Sequence, residues 1–199
     1  SVDRIGQNLK AYASLLGAEG EIIPFLHCGY GTDRFDKMLF NDKIRAFKRI
    51  KRNRPCIVVA TERGIREQVP YHEENSLRIK VKETFRREEL IRALYERGYE
   101  RVNYVECPGE YAVRGGIIDF FGPGNAWPVR LELNGDEIES LKAFDPSTQR
   151  TIHPVAEEEI FPVRTGSGEM KNLLEEYPAD LKIYYYEEDA FVECGDRAH

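Results

Sequence analysis

The apolar residues of this chain recur with two different periods, and the change from one to the other divides the sequence. Ile5, Leu9, Tyr12, Leu15 and Leu16 fall at helical spacing, which predicts a helix over residues 2–16 ended by Gly17 and Gly20. Glu21–Leu26 reads as a short strand with a proline near one end, and Gly29–Asp33 as a loop. Ile44, Phe47 and Ile50 place a second helix over Phe40–Lys51, which Pro55 stops. Cys56–Ala60 is unbroken apolar sequence, the pattern of a strand covered on both faces. Thr61 is positioned to cap a short helix through Gln68, closed by Pro70. Helix, strand, helix, strand, helix is the rhythm of a layered α/β domain with a parallel sheet.

After about Leu77 the period falls to two. Leu77, Ile79 and Val81 alternate with Arg78, Lys80 and Lys82, a half-exposed strand. Thr84 can cap a helix carrying Leu90, Ile91, Leu94 and Tyr95, ended by Gly98. Strands are then predicted over Arg101–Glu106, Ala112–Phe121, Val129–Leu133 and Glu137–Phe144. Asn134-Gly135 is a two-residue hairpin signal, since both turn positions favour positive φ. Gly115-Gly116 within a strand pattern predicts a bulge or a close backbone approach. Arg164–Gly168 reads as a linker, Glu169–Tyr177 as a helix and Leu181–Tyr186 as a strand. The fold class expected is α/β: a partial parallel α/β layer over residues 1–78, then a small α+β module with an antiparallel meander over 79–164. Residues 165–199 read as a linker and the start of a further segment.

Composition narrows the classes. The chain has 199 residues, 32% charged and 41% hydrophobic, an ordinary globular balance. Its net charge of −6 argues against a surface that grips nucleic acid everywhere, while leaving room for a local basic patch. No apolar run approaches the ~18 residues of a membrane span, so no membrane partner is expected. The chain opens Ser1-Val2-Asp3, with neither Met nor a signal peptide, which suggests a piece of a longer protein. Cys28, Cys56, Cys107 and Cys194 are scattered without a C-x-x-C pair, which fits a reduced, cytoplasmic protein. His27-Cys28 has no second pair at zinc spacing, so no metal site is expected.

Catalytic chemistry finds little support. No segment matches the P-loop pattern that cradles phosphates, so this chain is not expected to bind or hydrolyse ATP. There is no G-x-S-x-G elbow, and His27, His72, His153 and His199 sit in predicted loops or at the terminus. Glu157–Glu159 and the carboxylates from Glu169 to Glu193 read as solvated surface before they read as acid/base pairs. No catalytic residue is assigned.

Two constellations suit binding. Lys43–Arg54 holds seven cations and no acid, so Lys48, Arg49 and Arg52 are candidate nucleic-acid contacts; the plainer reading is a solvated face favoured by the helix dipole. Arg114 and Arg130 project from predicted strands beside Gly115 and Gly116. Forked guanidinium donors on a flat surface suit carboxylates of a partner protein. Intramolecular pairing with Glu132, Asp136 or Glu137 is the alternative.

The stretch GYERVNYVECPGEYAVRGGIIDFFGPG, followed by PVRLELNGDEIESLKAFDPSTQR, resembles the UvrB-homology module of the bacterial transcription-repair coupling factors over about residues 85–163. UvrB has a similar module but usually carries an acid where Gly115-Gly116 stand and lacks the FDPSTQR run. Residues 1–80 resemble, more weakly, the family's degenerate helicase-like α/β lobe, which has lost its nucleotide-binding motifs. The resemblance implies an adaptor that binds UvrA, the damage-recognition ATPase of nucleotide excision repair. Arg114 and Arg130 would map onto the UvrA-contacting surface, and Asn134 stands near a third contact that is often aromatic in the family. It further implies that ATP, DNA and RNA polymerase are handled elsewhere in the full-length protein, outside this chain. Arg114→Ala and Arg130→Ala are both expected to fold normally and to lose UvrA binding. The runners-up are a DNA-binding module using the basic helix and a UvrB-type damage-loading fragment.

Overall fold

The computed structural model describes residues 21–25, 34–52, 56–60, 62–70, 76–163, 170–171, 173, 183–187 and 190–194. The helix expected over 2–16, the loop Gly29–Asp33 and the linker Arg164–Gly168 lie outside them.

The first layer is built as its apolar runs require. β1 (Glu21–Phe25) and β2 (Cys56–Ala60) pair in parallel, with Ile23 opposite Val58. The connecting helix α1 spans Arg34–Lys51. It starts six residues before the predicted Phe40 because its first turns face outward, with Phe35 and Met38 exposed, so no apolar stripe announces them. Asp36 in the first turn and Lys48, Arg49 and Lys51 in the last complement the helix dipole. Ile44, Phe47 and Ile50 pack with Ile23, Phe25, Val69, Phe161 and Leu173. The helix expected through Gln68 is only the single turn α2 (Glu62–Ile65). The core takes Val69 instead, and β3 (Val69–Pro70) pairs with β12 (Met170–Lys171). That strand occupies the start of the helix predicted over Glu169–Tyr177; apart from Leu173, the rest of the segment lies outside the described residues.

In the second layer, β4 (Leu77–Lys80) pairs with β11 (Glu157–Ile160). Helix α3 (Arg87–Glu96) buries Leu90 and Leu94, while Tyr95 stays exposed. It ends where expected: Tyr99 N–H donates to Leu94 O and Gly98 N–H to Tyr95 O, with Gly98 at φ +82°, a Schellman closure. Its start differs from the prediction. Thr84 does not cap it; Arg86 precedes the first turn without a side-chain cap, and Thr84 bridges to Glu137. Tertiary hydrogen bonds hold residues 82–85 along the tip of the meander, Phe85 N–H to Asp136 O and Lys82 N–H to Ile138 O, and so delay the helix.

The main sheet runs β10-β9-β8-β7-β6-β5, comprising β5 (Glu100–Arg101), β6 (Glu110–Arg114), β7 (Ile117–Phe120), β8 (Val129–Asn134), β9 (Glu137–Phe144) and β10 (Thr151–Val155). All neighbours are antiparallel except β5 and β6. One face packs Tyr111, Ile118, Phe120, Val129, Leu131 and Leu141 against α3 and Ile79. Three strand expectations are corrected. The strand predicted over Arg101–Glu106 stops at Arg101, because Glu110 accepts the amides of Glu106 and Cys107 and bends the chain away. The strand predicted over Ala112–Phe121 is two strands joined by a hairpin at Gly115-Gly116. The predicted Asn134-Gly135 turn is shifted by one: Asn134 pairs with Glu137, the turn is Gly135-Asp136, and an irregularity between Glu132 and Leu133 absorbs the difference. The last strands, β13 (Ile183–Glu187) and β14 (Ala190–Cys194), form an antiparallel hairpin.

The two layers are joined by polar contacts from α1. Asn41 accepts from Gly124 N–H at 2.7 Å and donates to Asn125 O at 3.1 Å, and Lys48 Nζ donates to Pro123 O at 2.9 Å. Arg52 pairs with Glu159 at 2.6 Å.

Candidate partner-binding site

Strand alternation puts the main core cluster on one face of the main sheet and a charged set on the other, beside a smaller buried cluster that includes Ala112 and Phe144. The register places Asp119 directly opposite Arg130, and Arg130 opposite Lys142. Arg114 and Glu132 sit two residues along on the same face, both opposite Ile117. Arg114 and Arg130 are thus brought together as expected, and Asp119 is the residue that joins them. Its side chain is 1% exposed. It accepts two hydrogen bonds from Arg130, from Nε at 2.8 Å and Nη2 at 2.9 Å, and one from Arg114 Nη2. The intramolecular acid is therefore Asp119, not Glu132, Asp136 or Glu137. Glu132 instead pairs with Lys142 and Ser140, each at 2.6 Å.

The two arginines differ in what they leave open. Arg130 is 17% exposed, clamps Asp119 through two nitrogens, places its third on Gln149 O at 3.4 Å and stacks 4.7 Å from the Phe144 ring centroid. Its bonds to Asp119 raise its pKa against the opposing cost of desolvation. Gln149 belongs to the Asp145–Arg150 turn, where Asp145 accepts the amides of Ser147 and Thr148 and Gln149 adopts φ +60°. Arg114 is 41% exposed, commits one nitrogen to Asp119 and lies over the exposed ring of Tyr104. Its guanidinium makes no other hydrogen bond among the described residues. Lysine would not hold this geometry, because a point charge cannot bridge a carboxylate through two fixed donors.

Gly115 and Gly116 serve the scaffold. Gly115 has φ +60° while Gly116 does not enter the positive region, as in a type II′ turn, and Arg87 Nε donates to Gly115 O at 2.8 Å. A Cβ on Gly116 would lie 3.0 Å from Leu133 O, the close backbone approach expected at this pair. Asn134 is exposed at the end of β8 beside the Gly135-Asp136 turn, free of the turn role first expected for it.

The basic helix is arranged differently. Lys48 is buried, spans to Pro123 O and lies 4.5 Å from the Phe161 ring centroid. Lys43 is fully buried 2.6 Å from Glu67. Arg52 is held by Glu159, and Arg49 is half-buried with interactions of its own. A phosphate backbone cannot reach Lys48, which corrects the expectation that Lys48, Arg49 and Arg52 form one nucleic-acid face. Among the described residues there is no cluster of three or more His, Cys, Asp or Glu suited to a metal, and no helix long and apolar enough to cross a membrane. Cys107 is a buried free thiol.

Fold and site define an α/β protein whose antiparallel meander displays an arginine–aspartate–arginine cluster on its solvent face. Residues 77–165 match the family model of the UvrB interaction domain. The chain is 33% identical over 162 residues to the transcription-repair-coupling factor of Myxococcus xanthus, 81% of this chain and 12% of that protein. The corresponding factor of Bacillus subtilis is 33% identical over 125 residues, 61% of the chain and 11% of the relative. That of Escherichia coli is 38% identical over 88 residues, 44% and 8%. The resemblance to the transcription-repair coupling factors therefore holds, and the chain is related to them through a UvrB interaction domain. It spans about an eighth or less of the length of these curated relatives.

Proposed function

We propose that this chain is the adaptor segment of a transcription-coupled nucleotide excision repair factor, which binds UvrA and brings it to RNA polymerase stalled at DNA damage. The observation that carries this reading is the Arg114–Asp119–Arg130 cluster on the open face of a UvrB interaction domain. The segment acts by binding rather than by catalysis and needs no cofactor of its own. ATP-driven translocation on DNA, and the contacts to DNA and polymerase, reside in other parts of the full-length protein, which works in the cytoplasm.

The geometry divides the labour between the two arginines. Arg114 offers its open donors to a carboxylate of UvrA, and Arg130 holds Asp119 so that Arg114 is aimed. Gly115 and Gly116 shape the neighbouring turn, and Asn134 lies exposed on the following strand end.

Calorimetry of UvrA binding tests this. Arg114→Ala leaves the bidentate Arg130–Asp119 pair intact, so it should fold normally and weaken binding by about 2 kcal/mol, roughly thirtyfold. Wild-type affinity in a folded Arg114→Ala variant would remove this surface from the interface.

A further inference from the structure

Beside Arg114 lies a groove of about 360 Å³ lined by Arg101, Val102, Asn103, Tyr104, Val113 and Arg114. It forms because β5 and β6 are the only parallel neighbours of the main sheet: the chain leaves β5 at Arg101 and turns past the end of β6 instead of pairing along it. Val102 N–H donates to Tyr111 O at 2.8 Å and pins the start of that turn. Tyr104 is 62% exposed, and the Arg114 guanidinium stands 5.6 Å from its ring centroid.

The groove is positive for a structural reason. Arg101 is exposed, and its side chain has no hydrogen bond or ion pair among the described residues. The neighbouring carboxylates are taken up from the other layer: Lys37 of α1 pairs with Glu100 at 3.2 Å and lies 3.8 Å from Glu110, and Arg34 lies 3.5 Å from Glu106. Glu110 also accepts the amides of Glu106 and Cys107. Two guanidinium groups therefore line a groove whose own lining contains no acid.

We propose that this groove is the seat of the carboxylate that Arg114 engages, taking an aspartate or glutamate side chain of the protein partner at the guanidinium groups of Arg101 and Arg114, with its aliphatic stem against Tyr104. The inference rests on the adaptor reading and extends its surface to Arg101 and Tyr104, which that reading does not use. An acidic protein side chain suits the groove better than a nucleic-acid strand. There is one aromatic ring rather than a stacking series.

Calorimetry with UvrA on the chain, on Arg114→Ala and on three further variants decides this, each further variant first shown to melt like wild type. Arg101→Glu should lower affinity about tenfold or more, and Tyr104→Ala by roughly threefold. Arg78→Glu, an equal charge reversal at an exposed position on β4, should leave it unchanged. The groove assignment is overturned if Arg101→Glu does no more than Arg78→Glu. It is also overturned if Arg101→Glu abolishes binding of a single-stranded oligonucleotide while sparing UvrA. Loss of affinity in Arg114→Ala with none in Arg101→Glu removes the groove and keeps the adaptor reading; a wild-type chain that fails to bind UvrA removes both.

Discussion

Helix α1 and the open face of the main sheet are both rich in Lys and Arg, yet they spend those charges in opposite ways. On α1, Lys43 is buried against Glu67 and Lys48 against a backbone carbonyl and a ring, and just past its end Arg52 is tied to Glu159. On the sheet, Arg130 is committed inward to Asp119, but Arg114 leaves most of its donors unbonded and Arg101 stands unpaired among the described residues. The denser cationic run is the structural one, and the sparser pair is the one left accessible to solvent. Charge density along a sequence reports how many cations there are; only the acceptors packed against them decide how many are available.

The sharpest way to break this contrast is to remove charge from the buried set. Lys43→Ala leaves Glu67 buried without its cation and should cost about 3–5 kcal/mol of stability in denaturant melts. If Lys43→Ala melts like wild type, α1 is not the structural element this comparison makes it.

Next in size is Arg130. Arg130→Ala strips the bidentate partner from a carboxylate that is 1% exposed, which should cost about 2–4 kcal/mol, against about 1 kcal/mol for Arg114→Ala. Adding Asp119→Asn to Arg130→Ala removes the stranded charge and should recover part of the loss. Equal destabilisation by the two single arginine variants would erase the division of labour between them.

The smallest effect is in pH dependence, and its sign differs between the two regions. Glu132, on the sheet face, has its pKa lowered, chiefly by the hydrogen bond from Lys142 and then by Ser140. Its stabilising contribution is full above the ordinary carboxylate pKa and is lost as pH falls through the depressed folded value. Glu158, on β11 near Lys48, has its pKa raised by burial, partly offset by the Glu159 amide and Lys48. Its burial therefore opposes folding above the raised value and ceases to do so as pH falls. Melts across the acid range should show Lys142→Met flattening the first dependence and Glu158→Gln giving a small stabilisation confined to the higher pH values.

Much of this architecture was legible from residue pattern alone. The parallel pairing of β1 with β2 followed from two apolar runs separated by a helical stripe, and the Gly98 stop from the need for positive φ at a helix end. The resemblance carried by VRGGIIDFF and FDPSTQR placed Arg114 and Arg130 on one surface, and the register puts both on the same sheet face. The failures share a cause. Thr84 has the local signature of a cap, but the Phe85 and Lys82 amides are claimed by the meander tip far along the chain. Gly115-Gly116 fits a bulge within one strand as well as a reversal until the partner strands are known.

Periodicity and turn chemistry act over a few residues, so residue pattern alone specifies most of the elements and their faces. Asp119 stood in plain view as the one acid in an apolar strand, but nothing local says that it lies opposite Arg130. That pairing needs two hairpins to set the register, and the burial of Lys43 and Lys48 needs a second layer to close over α1. Tertiary structure alone decided which charges are satisfied within the molecule and which remain for a partner, because a charge is satisfied by whatever acceptor the fold brings within about 3 Å, however distant in sequence.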